Sequence, residues 1–194
     1  MVRNATDTRE RVLTTARNLF STHGFGGTSL QDILGAVGIT KGAFYHYFKS
    51  KETLCEIVLD QAIEEYHHLA EAIQDDIAEP ESLKRWLLLI IQQNTAGHWL
   101  NCRLLTRLTI ECSQLNPGIQ DRLRTFWLWY QGFYEGLLRR GLGEAGGNAE
   151  DVPVLARSLI CCLFGALWLD RCVDSKDGLS RVAEVQLRQL LLPH

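Results

Sequence analysis

The placement of proline is the feature that most constrains the fold of this chain. Only four prolines occur in 194 residues, at positions 80, 117, 153 and 193, and each stands at the edge of a segment with helical apolar spacing. Because a proline inside a helix removes a hydrogen bond and clashes with the preceding turn, this placement leaves long helices intact. No useful stretch alternates apolar and polar residues as a half-buried strand does. The sequence therefore predicts an all-α fold of about nine helices.

Charge is divided unevenly along the chain. Residues 1–51 hold seven basic and three acidic residues, a net charge of +4, whereas residues 52–194 hold 13 basic and 20 acidic residues, a net charge of −7. A basic segment followed by an acidic remainder indicates that the first part alone binds a polyanion. We expect a domain boundary near residue 52, inside a long fourth helix.

The composition also predicts where the protein works. No apolar run approaches the roughly 18 residues of a membrane-spanning helix, and the N-terminus lacks the apolar core of a signal peptide. We therefore expect a cytoplasmic protein with no membrane partner. Its six cysteines show no C-x-x-C spacing and are expected to be free thiols. We recognise no metal-ligand set, cofactor motif or catalytic arrangement, so no metal, cofactor or enzyme activity is expected.

The stretch GTSLQDILGAVGITKGAFYHYFKSK, residues 27–51, combines a short helix, a glycine turn and a second helix rich in rings and lysines. These lengths are typical of a helix-turn-helix, whose second helix enters the DNA major groove. Phe44 and Phe48 lie four residues apart and are expected to turn into the core, so the other side of the helix faces DNA. Small residues let the backbone approach base edges, and hydroxyl, imidazole and ammonium groups suit phosphate. The predicted DNA-binding residues are Thr28, Ser29, Thr40, Lys41, Gly42, Ala43, Tyr45, His46 and Tyr47. In the alternative interpretation, the tyrosines only cover a hydrophobic rim.

The segment FSTHGFGGTSLQDILGAVGITKGAFYHYFKSKETL resembles the DNA-binding region of the TetR (tetracycline-repressor) family of bacterial transcription regulators, over residues 8–57. The resemblance implies an all-α homodimer with a three-helix DNA-binding head, here residues 1–52. Residues 53–194 would bind a small effector and form the dimer. It further implies base contacts for Lys41, Gly42 and Ala43, and phosphate contacts for Thr28, Thr40, Tyr45, His46, Tyr47 and Lys51. Beyond residue 57 the resemblance is one of architecture only.

The segment SLICCLFGALWL, residues 158–169, is apolar on every face of a helix. Such a helix has to be covered on all sides, one of them by a partner. Small residues recur along one of its stripes, and a second amphipathic face follows at residues 179–192. The predicted dimer-interface residues are Ser158, Cys162, Gly165, Leu169, Leu187 and Leu190. The alternative is that both segments are core helices of a monomer.

The segment FWLWYQGFYEGLL, residues 126–138, carries six aromatic residues within nine positions, too many for one helix face. Ring walls with indole N–H and phenol groups suit a pocket for an apolar or aromatic effector, although core packing is an alternative. The predicted ligand-binding residues are Trp99, Cys102, Arg103, Phe126, Trp127, Tyr130, Phe133, Tyr134 and Trp168.

Cys102 raises a second functional hypothesis. It follows a predicted helix start and precedes Arg103 and Arg107, and both surroundings favour a thiolate. Together with Cys112, ten residues on, it resembles a TetR subgroup in which some members sense electrophiles or oxidants through the first cysteine. We therefore expect either a repressor released by a small effector or a thiol-based redox-sensing repressor switched at Cys102. Burial of Cys102 as a small core residue is the alternative to the second hypothesis. A third class, an enzyme or adaptor built on the helical body, does not explain the basic head.

Overall fold

The computed structural model describes residues 5–75, 82–95, 100–142, 150–175 and 177–191. Within these residues the chain forms nine α-helices and one short 3-10 helix, η1, and this confirms the all-α fold. The helices are α1 (Ala5–His23), α2 (Leu30–Val37), α3 (Lys41–Tyr47), α4 (Lys51–Asp75), α5 (Ser82–Thr95), α6 (Leu100–Ile110), η1 (Cys112–Gln114), α7 (Pro117–Leu142), α8 (Val152–Cys172) and α9 (Gly178–Leu191).

Local sequence signals set the ends of the first helices. Ser29 is the N-cap of α2, where its hydroxyl accepts a hydrogen bond from the Asp32 backbone N–H and the Asp32 carboxylate accepts one from the Ser29 backbone N–H. Thr40 caps α3 by accepting from the Ala43 N–H at 3.2 Å. Gly38 ends α2 in the left-handed region at φ 73°, which a side chain would strain.

Contacts divide the chain into two compact units. The first comprises Met1–His67 with Trp99–Phe126, and in it α1 packs on α2 and α6. The second comprises His68–His98 with Trp127–His194, and in it α9 packs on α8 and α5. Because α6 joins α1, this division differs from the boundary expected near residue 52. The separation into a DNA-binding domain of residues 1–52 and a second domain of residues 53–194 stays a prediction about function.

The core of the first unit forms around α1. Val12, Ala16 and Phe20 recur every four residues along this helix, and all three are fully buried. Phe44 and Phe48 are buried as well, as predicted from their spacing. Burial of these rings fixes which side of α3 turns inward and therefore which side remains for a partner.

Helix α8 is apolar over most of its length. The stretch Val152–Asp170 has 19 residues and a mean hydropathy of 2.0, enough to cross a membrane by length and composition alone, and 33% of this stretch is buried. The expectation that no run approaches membrane-spanning length is corrected for this helix, since Arg157 interrupts the apolar residues only once before Asp170. Apolar helices of proteins without a membrane pass the same test when they are covered by other helices.

Candidate functional site

The outward side of α3 presents a set of polar and aromatic side chains. Phe44 and Phe48 lie 5.4 Å apart between ring centroids and hold the helix on the core. On the opposite side Tyr45 is 49% exposed, and its ring packs edge-on against Phe44. Lys41 places its Nζ 5.9 Å from the Tyr45 ring centroid. The short helix thus combines a buried anchor with an exposed cationic and phenolic surface.

The remaining predicted α3 residues share that surface. Gly42 and His46 are exposed, while Ala43 and Tyr47 are half-buried. The rings of His46 and Tyr47 pack edge-on at 5.0 Å. Thr40 and Ser29 are exposed at the N-termini of α3 and α2, where free backbone N–H groups and the helix dipole favour an anion. Hydroxyl, imidazole and ammonium donors on one surface can bind phosphate oxygens along a DNA strand.

Two predicted DNA-binding residues have other roles inside the protein. The Thr28 side chain is buried, with 1% exposed, and its hydroxyl donates to the Gly24 carbonyl at 2.7 Å. Lys51 donates from Nζ to the carbonyl oxygens of Phe25 and Thr28, at 2.9 and 2.8 Å, and lies 4.0 Å from the Phe25 ring centroid. Both residues stabilise the loop that leads into α2. Their direct phosphate contacts stay predictions, and within the protein both side chains bond the loop.

The same loop is held from a distant part of the sequence. The Glu111 carboxylate, at the corner of α6 and η1, accepts a hydrogen bond from the Gly26 backbone N–H at 2.9 Å. Gly24 has φ 81°, and a Cβ there would overlap the Glu111 carboxylate, so the close approach requires glycine. Arg107 adds a hydrogen bond to the Thr22 carbonyl at 3.2 Å. We call the residues Gly24–Thr28 the hinge loop, since they join α1 to α2.

Comparisons with known proteins agree with this geometry. Residues 12–57, which contain α2 and α3, match the family model described as bacterial regulatory proteins, tetR family. The whole fold is similar to that of a TetR-family regulator from Agrobacterium tumefaciens, with a TM-score of 0.87 at 19% identity over 97% of this chain and all of that one. The chain belongs to the TetR family. Since this family consists of transcription regulators rather than enzymes, the expectation of no enzyme activity is confirmed.

Two curated relatives extend the match of this TetR-family protein. An uncharacterised HTH-type regulator of Lactococcus lactis is 35% identical over 124 residues, which are 63% of this chain and 63% of that protein. The HTH-type transcriptional repressor DhaR of a Mycobacterium species is 25% identical over 191 residues, 96% of this chain and 93% of DhaR. The more similar relative is therefore matched over less than two thirds of its length, and the family match concentrates on the helix-turn-helix.

The second unit of this TetR-family regulator contains a cluster of buried rings. Trp86 of α5 packs edge-on against Phe133 at 4.7 Å, and against Tyr130 and Tyr134 at 6.2 and 6.4 Å. The Tyr130 and Tyr134 hydroxyls lie 3.4 Å apart. All four side chains are buried. We call these four residues the ring cluster.

The other predicted ligand-binding residues lie in different surroundings. Phe126 belongs to the first unit, where its ring packs on Tyr66 at 5.4 Å, and Trp127 packs on Phe164 at 5.2 Å in the second. Trp168 is 43% exposed on α8, and its assignment to a pocket stays a prediction. Arg103 is half-buried on α6. Trp99 lies outside the described residues.

Cys102 is a half-buried residue of α6 whose thiol points into the interior. Its Sγ contacts the Tyr66 hydroxyl, and burial raises the pKa of the Cys102 thiol from 9.0 to about 11, partly offset by the hydrogen bond with Tyr66. Cys55 is buried too, with its thiol pKa raised to about 12. Because the thiolate is the reactive form, these surroundings oppose the activation expected from the helix start and the neighbouring arginines.

The predicted dimer residues of α8 form an exposed stripe. Ser158 and Gly165 are exposed, Cys162 is half-buried and Leu169 is 65% exposed. A Cβ on Gly165 would meet no atom within 4 Å in the protomer. On α9, Leu187 is half-buried, and the Leu190 side chain lies outside the described residues. Among the described residues, Ser158, Gly165 and Leu169 are therefore left exposed, whereas Cys162 contacts Gln186 of α9.

Sequence reasoning missed two residues that the structure brings into these sites. Glu111 reaches Gly26 across 85 positions in the sequence, a distance at which no local pattern signals contact. Trp86 is the single aromatic residue of helix α5, and one ring does not form the kind of aromatic run that predicted a site on α7. Its apolar surroundings, LKRWLLLII, carried the available signal, since a tryptophan inside such a run is expected to be buried.

Proposed function

We propose that this TetR-family protein is a repressor that binds a palindromic DNA operator as a homodimer and is released by a small apolar or aromatic effector in the cytoplasm. The observation that supports DNA binding most strongly is α3, where two buried phenylalanines hold an exposed surface of lysine, tyrosine and histidine. The proposed DNA-contacting residues are Ser29, Thr40, Lys41, Gly42, Ala43, Tyr45, His46 and Tyr47, with Thr28 and Lys51 supporting the hinge loop. The mycobacterial relative is itself named a repressor.

A homodimer accounts for the exposed stripe of α8. Exposed large apolar residues on or beside it include Val154, Trp168, Leu169 and Val173, and α9 adds Val185. Contiguous apolar surface of this kind marks an interaction site in a water-exposed protein. A second copy of the chain supplies an identical stripe across a two-fold axis, and the same symmetry suits a palindromic operator.

Gly165 gives a direct test of this interface. Gly165→Leu should leave the protomer folded, because its side chain points into open space, yet it should overpack two copies at about 1–3 kcal/mol per site. Gly132→Leu on α7 is the matched control, since a side chain there also meets open space in the protomer. Sedimentation at micromolar protein should detect monomers for Gly165→Leu only. A dimer that persists would remove the α8 stripe from the interface.

The contact between Glu111 and the hinge loop offers a route for effector control. Helix α7 begins at Pro117, six residues after Glu111, so a displacement of α7 reaches the hinge loop through η1. Such a displacement would release Gly26 and change the position of α2 and α3. Glu111→Ala should therefore weaken operator binding while the protein stays folded. The control Asp121→Ala removes an exposed carboxylate that pairs with Arg124.

Thiol sensing is the less supported alternative for the regulatory input. The Sγ of half-buried Cys102 contacts the Tyr66 hydroxyl, and its raised thiol pKa leaves little thiolate near neutral pH. We therefore propose non-covalent effector binding. The two inputs differ in one variant, because Cys102→Ser would retain release by an effector and lose release by an oxidant.

The experiment that tests the proposed function is selection of bound DNA from a pool of random duplexes by the purified full chain. We expect an inverted repeat, with each half read by one copy of α3. Lys41→Ala should then cost about 1–3 kcal/mol and relax the preference at one position in each half-site if it contacts a base. Lys84→Ala, an exposed lysine of α5, is the matched control. Failure to enrich any sequence would exclude the proposed operator binding.

A further inference from the structure

The indole N–H of Trp86 is a buried hydrogen-bond donor for which the described residues supply no acceptor. Its side chain is fully buried, and its Nε1–H has no hydrogen-bond partner in the part of the chain that the structure describes. A tryptophan N–H can only donate, so it requires an acceptor. Leaving a buried donor without one opposes folding, which makes such a group a marker for an absent partner.

The surroundings of this N–H are aromatic. Phe133, Tyr130 and Tyr134 surround the Trp86 ring edge-on, with centroids between 4.7 and 6.4 Å away. The two tyrosine hydroxyls lie 3.4 Å apart on the same helix. These phenols can donate or accept, so they supply adaptable polar contacts beside the fixed indole donor.

Two half-buried tryptophans lie next to the ring cluster. Trp129 stacks on Phe133, with centroids 5.8 Å apart and planes at 17°. Trp127 packs edge-on against Tyr130 at 5.9 Å. Both tryptophans are half-buried, so the chain of ring contacts runs from solvent to the fully buried Trp86.

We propose that the ring cluster is the effector site, and that the effector is a flat, uncharged aromatic compound whose carbonyl or ether oxygen accepts the Trp86 N–H. This inference rests on the proposed function, since it names the chemistry of the molecule that would release the operator. It adds Trp86 as the residue that selects the ligand, with Tyr130 and Tyr134 as secondary polar contacts.

The donors explain why the effector is uncharged. An indole and two phenols are neutral, and desolvation of an anion is offset only by full charges or many donors. A hydrocarbon without oxygen would fill the aromatic space and leave the indole without an acceptor. An uncharged acceptor satisfies both the rings and the N–H.

Three naphthalene probes test this chemistry with the full-length protein. They are 2-acetonaphthone, with a carbonyl acceptor; 2-isopropenylnaphthalene, of the same shape without one; and 2-naphthoate, with an anionic acceptor. Titration calorimetry and quenching of tryptophan fluorescence give their affinities. We expect the ketone to bind about tenfold more tightly than the hydrocarbon, which corresponds to about 1.4 kcal/mol, and the carboxylate to bind most weakly.

Variants assign the difference to the indole N–H. Trp86→Phe keeps a ring and removes the donor, so it should abolish the preference for the ketone over the hydrocarbon. Trp129→Phe is the same substitution on a half-buried neighbour and should preserve that preference. If Trp86→Phe fails to fold, Tyr134→Phe provides the second variant, because it removes one hydroxyl at constant ring size and should reduce the ketone preference.

The outcomes separate this inference from the proposed function. Equal binding of ketone and hydrocarbon, tighter binding of the carboxylate, or an unchanged preference in Trp86→Phe would each overturn the assigned chemistry. Absence of binding by all three probes would overturn the ring cluster as the site. In each case an operator selected by the purified protein would still stand, whereas failure of that selection would remove the regulator function itself.

Discussion

Two aromatic helices of this protein put their rings to opposite uses. The seven-residue α3 buries Phe44 and leaves the adjacent Tyr45 half exposed. The 26-residue α7 buries Phe126, Tyr130 and Tyr134, which recur every fourth residue along one stripe. The short helix α3 also carries a lysine and a histidine. In α7 most neighbours of the rings are other rings and leucines. The number of aromatic residues in a helix therefore predicts no particular ligand. The charge of the residues beside the rings indicates which kind of ligand the helix binds.

Packing explains the difference between the two helices. Helix α3 has a single layer of core beneath it, and its Phe44 and Phe48 suffice to fill that contact. Helix α7 has buried residues on neighbouring faces, since Phe133 and Tyr134 are both covered by Trp86. A short helix that is covered on one side leaves some of its rings exposed to a macromolecular partner. A long helix that is covered on several sides buries its rings.

The largest expected effect comes from removing the anchor of α3. Phe44→Ala deletes a fully buried ring and should lower the free energy of unfolding by about 3–5 kcal/mol, with loss of DNA binding. Tyr45→Ala, one position on, removes a half-exposed ring and should leave stability within about 0.5 kcal/mol. Urea denaturation measures both. Equal destabilisation by the two substitutions would contradict the assignment of Phe44 to the buried side of α3 and Tyr45 to its exposed side.

Cysteine labelling compares the interior side of α6 with the exposed face of α8. Because burial raises its thiol pKa from 9.0 to about 11, Cys102 should react with iodoacetamide near neutral pH about 100-fold more slowly than it would with an unshifted pKa, and more slowly than exposed Cys161. Its rate should rise about tenfold per pH unit up to that pKa. Mass spectrometry after short labelling gives the order. If Cys102 reacts first, the contact with Tyr66 does not shield its thiol and the thiol-sensor hypothesis regains support.

The same substitution in both helices gives a third test. Tyr45→Phe removes a hydroxyl proposed to contact phosphate and should lower operator affinity about tenfold, since hydrogen bonds to charged groups contribute about 1.5–3 kcal/mol. Tyr134→Phe removes a buried hydroxyl of the ring cluster and should leave operator affinity unchanged. Electrophoretic mobility shifts measure both variants. Unaltered binding by Tyr45→Phe would favour the interpretation in which this ring only covers a hydrophobic rim.

The part of the fold that sequence could predict is the part governed by neighbouring residues. The caps at Ser29 and Thr40, the glycine turn at Gly38 and the inward spacing of Phe44 and Phe48 all act within four residues. The helical spacing of apolar residues and the capping and glycine signals at helix ends predict such contacts directly. The family match over residues 12–57 coincides with this locally determined segment.

Contacts between distant residues set the limit of that prediction. Lys51 was expected at phosphate, yet its ammonium bonds the carbonyls of Phe25 and Thr28 more than 20 positions earlier. Nothing in the local sequence distinguishes a lysine that reaches solvent from one that bonds a folded-back loop. The contacts of Glu111 and Trp86 were not predicted for the same reason, since only helix packing brings their partners close to them.

The smallest expected effect concerns the backbone that carries α3 rather than its rings. Ser29→Ala removes the N-cap of α2 and should cost about 0.5–2 kcal/mol near neutral pH. Hydrogen bonds from Ser29 lower the pKa of the Asp32 carboxyl below its ordinary 3.8. The folded state therefore binds that proton less tightly than the unfolded state. The stabilisation is fully present above the unfolded pKa and is lost as the pH falls through the lower, folded one.

Urea denaturation between about pH 3 and pH 7 should accordingly bring the stabilities of the wild type and Ser29→Ala closer together on the acid side of about pH 4. Thr40→Ala is the matched control, because Thr40 caps α3 without an acidic residue in the first turn. Its cost should remain constant over the same range. A pH-independent cost for Ser29→Ala as well would mean that the capping box acts through the serine hydroxyl alone. Both α2 and α3 would then be capped by neutral groups, and their sensitivity to acid would have to come from another part of the head.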